Sequence, residues 1–207
     1  GGGLTQITRT GAGEANPVWS PLGRRLACEY GSRIGSFEIV VMNADGTGRR
    51  RLTRNRVDDI EPVWSPRGRG IAFTRFVSAA NSEIFFIRPG GTELKRLTFS
   101  RAEEHHPDWS TKGKIAYVRY GAATHDLVVM DGDGSGKHVI WSGRGIGSAT
   151  WSPDGTALAV EVWDGNDGEL YAVSANGAER TRLTRNDVDD YGPVWAPNGA
   201  RIAYTRF

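Results

Sequence analysis

An acidic residue recurs five positions before a repeated tryptophan: Glu14 before Trp19, Asp59 before Trp64, Glu104 before Trp109 and Asp190 before Trp195. A further copy, Trp151, has Ile146 in that place. Carboxylates delivered at one position of several repeats can converge. Converging, they would hold a divalent cation such as calcium, or the Arg, Lys or amino terminus of a peptide. The same residue types also cap backbone N–H groups within their own loops, a role that needs no ligand. Asp58, Glu103 and Asp189 stand beside three of the acids and thicken the negative charge.

Basic residues keep the same beat. Arg9, Arg54 and Arg185 each follow a threonine, and Arg75, Arg119 and Arg206 end an apolar run. They are expected to be solvated or to pair with acids of the next repeat. Other reactive types offer less. His105 and His106 are adjacent, so in a strand they point to opposite faces and read as surface residues. Asp131-Gly132-Asp133-Gly134-Ser135-Gly136 opens like a calcium loop, but Ser142 stands where the bidentate Glu belongs, so it reads as a hairpin turn. Gly134-Ser135-Gly136-Lys137 lacks the first glycine of a phosphate loop, and no Gly-x-Ser-x-Gly occurs. Cys28 sits in an apolar slot and reads as packing. No catalytic residue is expected, and no cofactor beyond the cation.

The elements that must position the acids come from the repeat itself. Trp-Ser-Pro at 19–21 and 64–66 has close copies at 109–111, 151–153 and 195–197, with steps of 45, 45, 42 and 44 residues. Each unit reads as four short strands: a Pro-x-Trp segment, an Ile-Ala-aromatic segment such as Ile71-Ala72-Phe73, an apolar run such as Glu83-Ile84-Phe85-Phe86-Ile87, and Arg-Leu-Thr. Glycine-containing turns punctuate them, with 28 glycines in all. A recurring four-stranded unit of roughly 40 to 45 residues predicts an all-β chain folded as a β-propeller. The count gives five blades of antiparallel sheet with the last incomplete, over residues 1–207 as a single domain. The strand at 4–8 is expected to close the ring with the C-terminal blade at 193–207. The alternative is part of a six-bladed ring, and an unpaired edge at 203–207 would invite a second copy of the chain.

The Trp-Ser-Pro and Arg-Leu-Thr pattern resembles the TolB-type propeller repeat, a relative of the WD40 repeat. Its best match runs from Arg182-Leu183-Thr184-Arg185-Asn186-Asp187-Val188-Asp189-Asp190 into Pro193-Val194-Trp195. The Gly-His and Trp-Asp marks of true WD repeats do not recur with this repeat. The resemblance implies a non-enzymatic module that binds a protein or peptide at one mouth of its channel, in a periplasmic or extracellular setting. An enzyme-associated propeller, as in peptidases or polysaccharide lyases, and a truncated or engineered propeller are the alternatives. Composition fits the module: 26 Lys+Arg against 24 Asp+Glu leaves a net charge of +2, which argues against nucleic acid. One cysteine excludes an internal disulfide. No apolar stretch approaches the roughly 20 residues of a bilayer span, and Gly1-Gly2-Gly3-Leu4 does not read as a signal peptide.

Overall fold

The Trp-Ser-Pro motif is a hairpin starter. Ser20, Ser65, Ser110 and Ser152 each accept, on the side-chain oxygen, a backbone N–H at or just before the start of the following strand, at 3.0 Å in every case. The glycine of the same turn, for example Gly68 at φ 64°, donates to the serine carbonyl at 2.8 Å. A left-handed residue is needed there, which is why glycine recurs at that offset.

In a computed structural model that describes residues 4–31, 36–163, 165 and 167–207, these hairpins grow into blades. The Gly1–Gly3 opening lies outside the described residues. Blade 1 is β1 (Gly13–Trp19), β2 (Arg25–Gly31), β3 (Glu38–Asn43) and β4 (Arg50–Arg51). Blade 2 is β5 (Asp59–Trp64), β6 (Ile71–Ser78), β7 (Asn81–Ile87) and β8 (Lys95–Arg96). Blade 3 is β9 (Glu103–Trp109), β10 (Lys114–Tyr120), β11 (His125–Asp131) and β12 (His138–Gly143). Blade 4 is β13 (Ile146–Trp151), β14 (Ala157–Trp163), β15 (Gly168–Ser174) and β16 (Arg180–Arg182). Blade 5 holds only β17 (Asp190–Trp195) and β18 (Ile202–Arg206). Every sheet is an antiparallel meander in chain order. The Arg-Leu-Thr strands are shorter than expected, because the Leu-Thr turns inward after two or three paired residues.

The core lies between blades rather than within them. On β6, Phe73 packs towards blade 1 with Ala27, Ile39 and Val41, while Ala72 packs towards blade 3 with Ile115 and Tyr117. Strand alternation thus feeds two neighbouring joints from one strand. A third cluster joins Leu127 and Val129 to Trp151, Leu158 and Val160. Each fully buried Phe, Ile or Leu contributes roughly 1.5–3 kcal/mol to such a joint. Trp64 Nε1 donates to the Val18 carbonyl and Trp195 Nε1 to that of Thr150, so tryptophan pins these two joints to the preceding first strand, whereas Trp109 and Trp151 Nε1 are buried without a hydrogen-bond partner. Trp19, by contrast, is 58% exposed.

Outer strands lock over the next blade. A Cβ at Gly134 would lie 2.8 Å from the Leu97 carbonyl, and one at Gly177 would collide with that of Ile140. Gly46 stands in the same relation to Ile7, which places the N-terminal segment where an outer strand belongs. Residues 4–10 nevertheless form no ladder, and β17–β18 is a two-stranded sheet, so closure by residues 4–8 is not seen in the pairing.

Candidate functional site

The four repeat acids go into the joints, not into open space. Asp59 is fully buried and takes two hydrogen bonds from Arg75, at 2.6 and 2.7 Å. Asp190 is fully buried and takes two from Arg206, at 2.8 and 3.0 Å. Register explains both: Asp59 faces Arg75, and Asp190 faces Arg206, across the first and second strands. These arginines therefore serve their own blade, not the next one as expected. Glu14 accepts from Thr10 at 2.6 Å and lies 3.8 Å from Arg49. Glu104 is 1% exposed, and its Oε2 has no hydrogen-bond partner. Two of the four are thus spent on internal arginines and cannot serve as free carboxylates.

A second acid, missed in the sequence, completes each joint. Glu38, Glu83 and Glu169 lie within the first three residues of the third strands and are buried, each bound to the arginine of Arg-Leu-Thr at 2.9, 2.5 and 2.9 Å. The threonine side chains of the same motif accept from Ile39, Ile84 and Leu170 N–H. Asn55 then reaches Glu38 and Asp59 with one amide, at 3.4 and 2.7 Å, and Asn186 bonds Asp190 at 2.7 Å. The recurrent Glu at a fixed offset before Arg-Leu-Thr was the available signal.

Where the first strands meet, a different cluster stands open. β1, β5, β9, β13 and β17 lie against one another in succession, so they form the inner wall. Each carries a bulge three residues before its tryptophan, and in four of them the bulge residue is left-handed: Asn16, Glu61, His106 and Gly192, at φ 47°, 55°, 56° and 62°. Acids bridge these bulges from one blade to the next. Glu29 accepts from Glu61 N–H at 2.8 Å, Glu61 from His106 N–H at 2.8 Å, and Glu161 from Gly192 N–H at 3.1 Å.

The bulge overturns the reading of the histidines. Because His106 is left-handed, strict alternation fails, and both His105 and His106 face Glu61, at 3.6 and 2.9 Å. His105 also stacks on Phe76 and Tyr120, and its Nε2 lies 3.0 Å from Ser82 Oγ. Burial opposes the charge on both partners, but hydrogen bonds from the two imidazoles hold Glu61 well below the usual carboxylate range. Burial works against His106 too, yet Glu61, with Glu161 nearby, raises it above an ordinary histidine. Trp163, 41% exposed, donates to Glu161 at 2.6 Å. The wall therefore combines three acidic side chains, two imidazoles and aromatic edges. Such a surface suits hydrogen-bond donors and positive charge on an incoming chain. Among the described residues no three His, Cys, Asp or Glu side chains are grouped to hold a metal ion.

The TolB beta propeller domain model matches residues 4–145 and 106–206. The chain belongs to the TolB beta propeller domain family. The Tol-Pal system protein TolB of Anaeromyxobacter sp. (strain K) is 36% identical over 93 residues, 44% of this chain and 21% of that relative. The TolB of Francisella tularensis subsp. mediasiatica is 29% identical over 89 residues, 42% of this chain and 20% of its own. The aligned stretch is thus about a fifth of either relative. Among solved structures, a putative TolB from Agrobacterium tumefaciens superposes with a TM-score of 0.82 at 19% identity, covering 97% of this chain and 72% of that one. An oligogalacturonate lyase solved in complex with manganese has a TM-score of 0.72 at 11% identity, covering 91% and 57%. At such identities the likeness is one of fold, shared by TolB-type propellers and by enzymes.

Proposed function

We propose that this propeller is a non-enzymatic protein-binding module of the cell envelope, periplasmic like the Tol-Pal system that its relatives are named for. A partner segment carrying Lys, Arg or a free amino group docks on the inner wall at Glu61, His105, His106, Tyr120 and Glu161. The observation that carries this reading is the choice of residues at the left-handed bulges. Blade 5 uses Gly192, which costs nothing there, whereas blades 2 and 3 hold Glu61 and His106 at about 1–3 kcal/mol of strain each. Retaining charged side chains in that conformation puts a carboxylate–imidazolium pair where a partner can reach it. The four repeat acids serve beneath this surface as framework.

Calorimetric titration with acetyl-tetralysine-amide, against acetyl-tetraglutamate-amide as control, tests the reading. Saturable binding of the lysine peptide is expected, weakening with salt and falling several-fold in a Glu61→Gln, Glu161→Gln double variant. Equal behaviour of the two peptides, or no change in the variant, would refute it.

A further inference from the structure

The joint between blades 2 and 3 departs from its counterparts in a way that binding at the inner wall does not use. In the joints entering blades 2 and 5, an asparagine amide and a bidentate arginine neutralise the buried acid of the first strand. At Glu104 both are gone. Ser100 stands where Asn55 and Asn186 stand, and its hydroxyl turns to the Ala102 carbonyl at 2.9 Å. Arg119 faces Glu104 in the ladder, as Arg75 faces Asp59. Its guanidinium instead lies on Asp126, 2.6 Å away on the other side of β10.

What remains around Glu104 is short of donors. Glu83, Thr98 and Ser100 surround its carboxyl, and Thr98 gives its hydroxyl to Glu83 at 2.6 Å. Glu83 is itself buried and also holds Arg96 and the Ser100 N–H. Beyond these, β10 brings Tyr117 and Arg119 towards Glu104, with Asp126 of β11 behind them, while β5 carries Asp59 and Glu61, β6 carries Arg75, and β9 itself carries Glu103, His105, His106 and Asp108. β13 carries no titratable side chain. Arg75 is held by Asp59 and His105 by Glu61 and Ser82. Two buried carboxyls therefore meet without the amide that separates them elsewhere, and a proton is the smallest group that can replace it.

We propose that Glu104 is a proton-operated latch with two arginine positions. Protonated, Glu104 shares its proton with Glu83 and leaves Arg119 on Asp126. When Glu104 releases that proton to solvent, Arg119 swings from Asp126 to Glu104, adopting the pairing already seen at Asp59–Arg75 and Asp190–Arg206. Burial pushes the Glu104 carboxyl upwards, opposed by hydrogen bonding to Thr98 and Ser100 and assisted by the Glu83 charge, and the net rise brings the exchange towards neutral pH. The latch touches the inner wall through Ser82. That hydroxyl donates to the Glu104 carbonyl, accepts its N–H at 3.0 Å, and lies 3.0 Å from His105 Nε2.

Carbon-detected NMR of the Glu104 carboxyl, with the Arg119 Nε–H resonance followed in the same samples from pH 4 to 9, tests this. The carboxyl should titrate well above the ordinary value of about 4.3, and the Arg119 signal should move with the same midpoint. In Glu104→Gln the Arg119 transition should vanish. In Ser100→Asn, which restores the amide, the Glu104 midpoint should fall back towards the ordinary range. An ordinary or lowered midpoint in the wild-type protein would overturn the shared proton. A raised midpoint with a stationary Arg119 would overturn the exchange.

Discussion

The joints into blade 2 and into blade 3 are cut from one repeat yet hold their buried acids by opposite means. Asp59 is ionised-acid architecture: a guanidinium on one side and the Asn55 amide on the other. Glu104 has the extra methylene and neither partner, so it is drawn to Glu83. The lesson is that a repeat position specifies where a carboxylate goes, while its neighbours decide what it does there. A change of Asn to Ser at one loop position, and of one arginine's rotamer, converts a fixed ion pair into a titratable contact.

The sharpest way to break this comparison is to remove the two arginines in turn. Arg75→Met leaves Asp59 buried without its cation and should cost about 3–5 kcal/mol of unfolding free energy. Arg119→Met removes a partly exposed pair with Asp126 and should cost no more than about 1 kcal/mol. Denaturant unfolding of both variants at pH 5, where Glu104 keeps its proton and Arg119 stays on Asp126, measures the difference. Equal losses would mean that the two arginines do the same work and that the joints are alike.

A second test uses pH. A carboxyl raised in the folded state contributes stability that is complete below the ordinary carboxylate pKa and is lost as pH rises through its folded value, here about 7. The wild-type protein should therefore lose stability between about pH 4.5 and 7, and Glu104→Gln should flatten that limb. His106, also raised, acts in the same direction as pH climbs past neutrality. Glu61, lowered, acts oppositely: its contribution is present above the ordinary carboxylate value and fails only in strong acid. Thermal melts across pH 4 to 9 separate them, because the Glu104→Gln variant keeps the Glu61–His106 component. An unchanged slope in that variant would place the wild-type dependence elsewhere.

Much of the fold was legible because the repeat writes its elements at fixed offsets. Trp-Ser-Pro marks the first hairpin, and the Glu-led apolar run and Arg-Leu-Thr mark the outer half of each blade. At the fourth blade, whose tryptophan lacks the acid, Trp141 and Tyr171 pack edge to face beside Arg180. The acids at 14, 59, 104 and 190 were visible as a set, but their partners were not. Pairing Asp59 with Arg75 requires the strand register, which spacing alone does not provide. His105 and His106 were misread because strand alternation was assumed through a bulge. Nothing in a single sequence announces that Glu61 and His106 occupy left-handed positions, although Gly192 at the equivalent place in blade 5 was a hint.

That equivalence supplies the smallest and most discriminating test. His106→Gly relieves a left-handed conformation that glycine accepts freely, and it removes the ion pair with Glu61. The two effects oppose each other, so stability should change by less than about 1 kcal/mol. Binding should not be balanced in this way. Loss of the imidazolium leaves Glu61 and Glu161 without their nearest cation, so tetralysine affinity should rise two- to five-fold, on the order of what one partly screened charge supplies. Matched melting and titration experiments on the variant and the wild-type protein decide the matter. A variant that binds the peptide more weakly would show that His106 attracts the ligand rather than opposing its charge, and that the wall reads something other than positive charge.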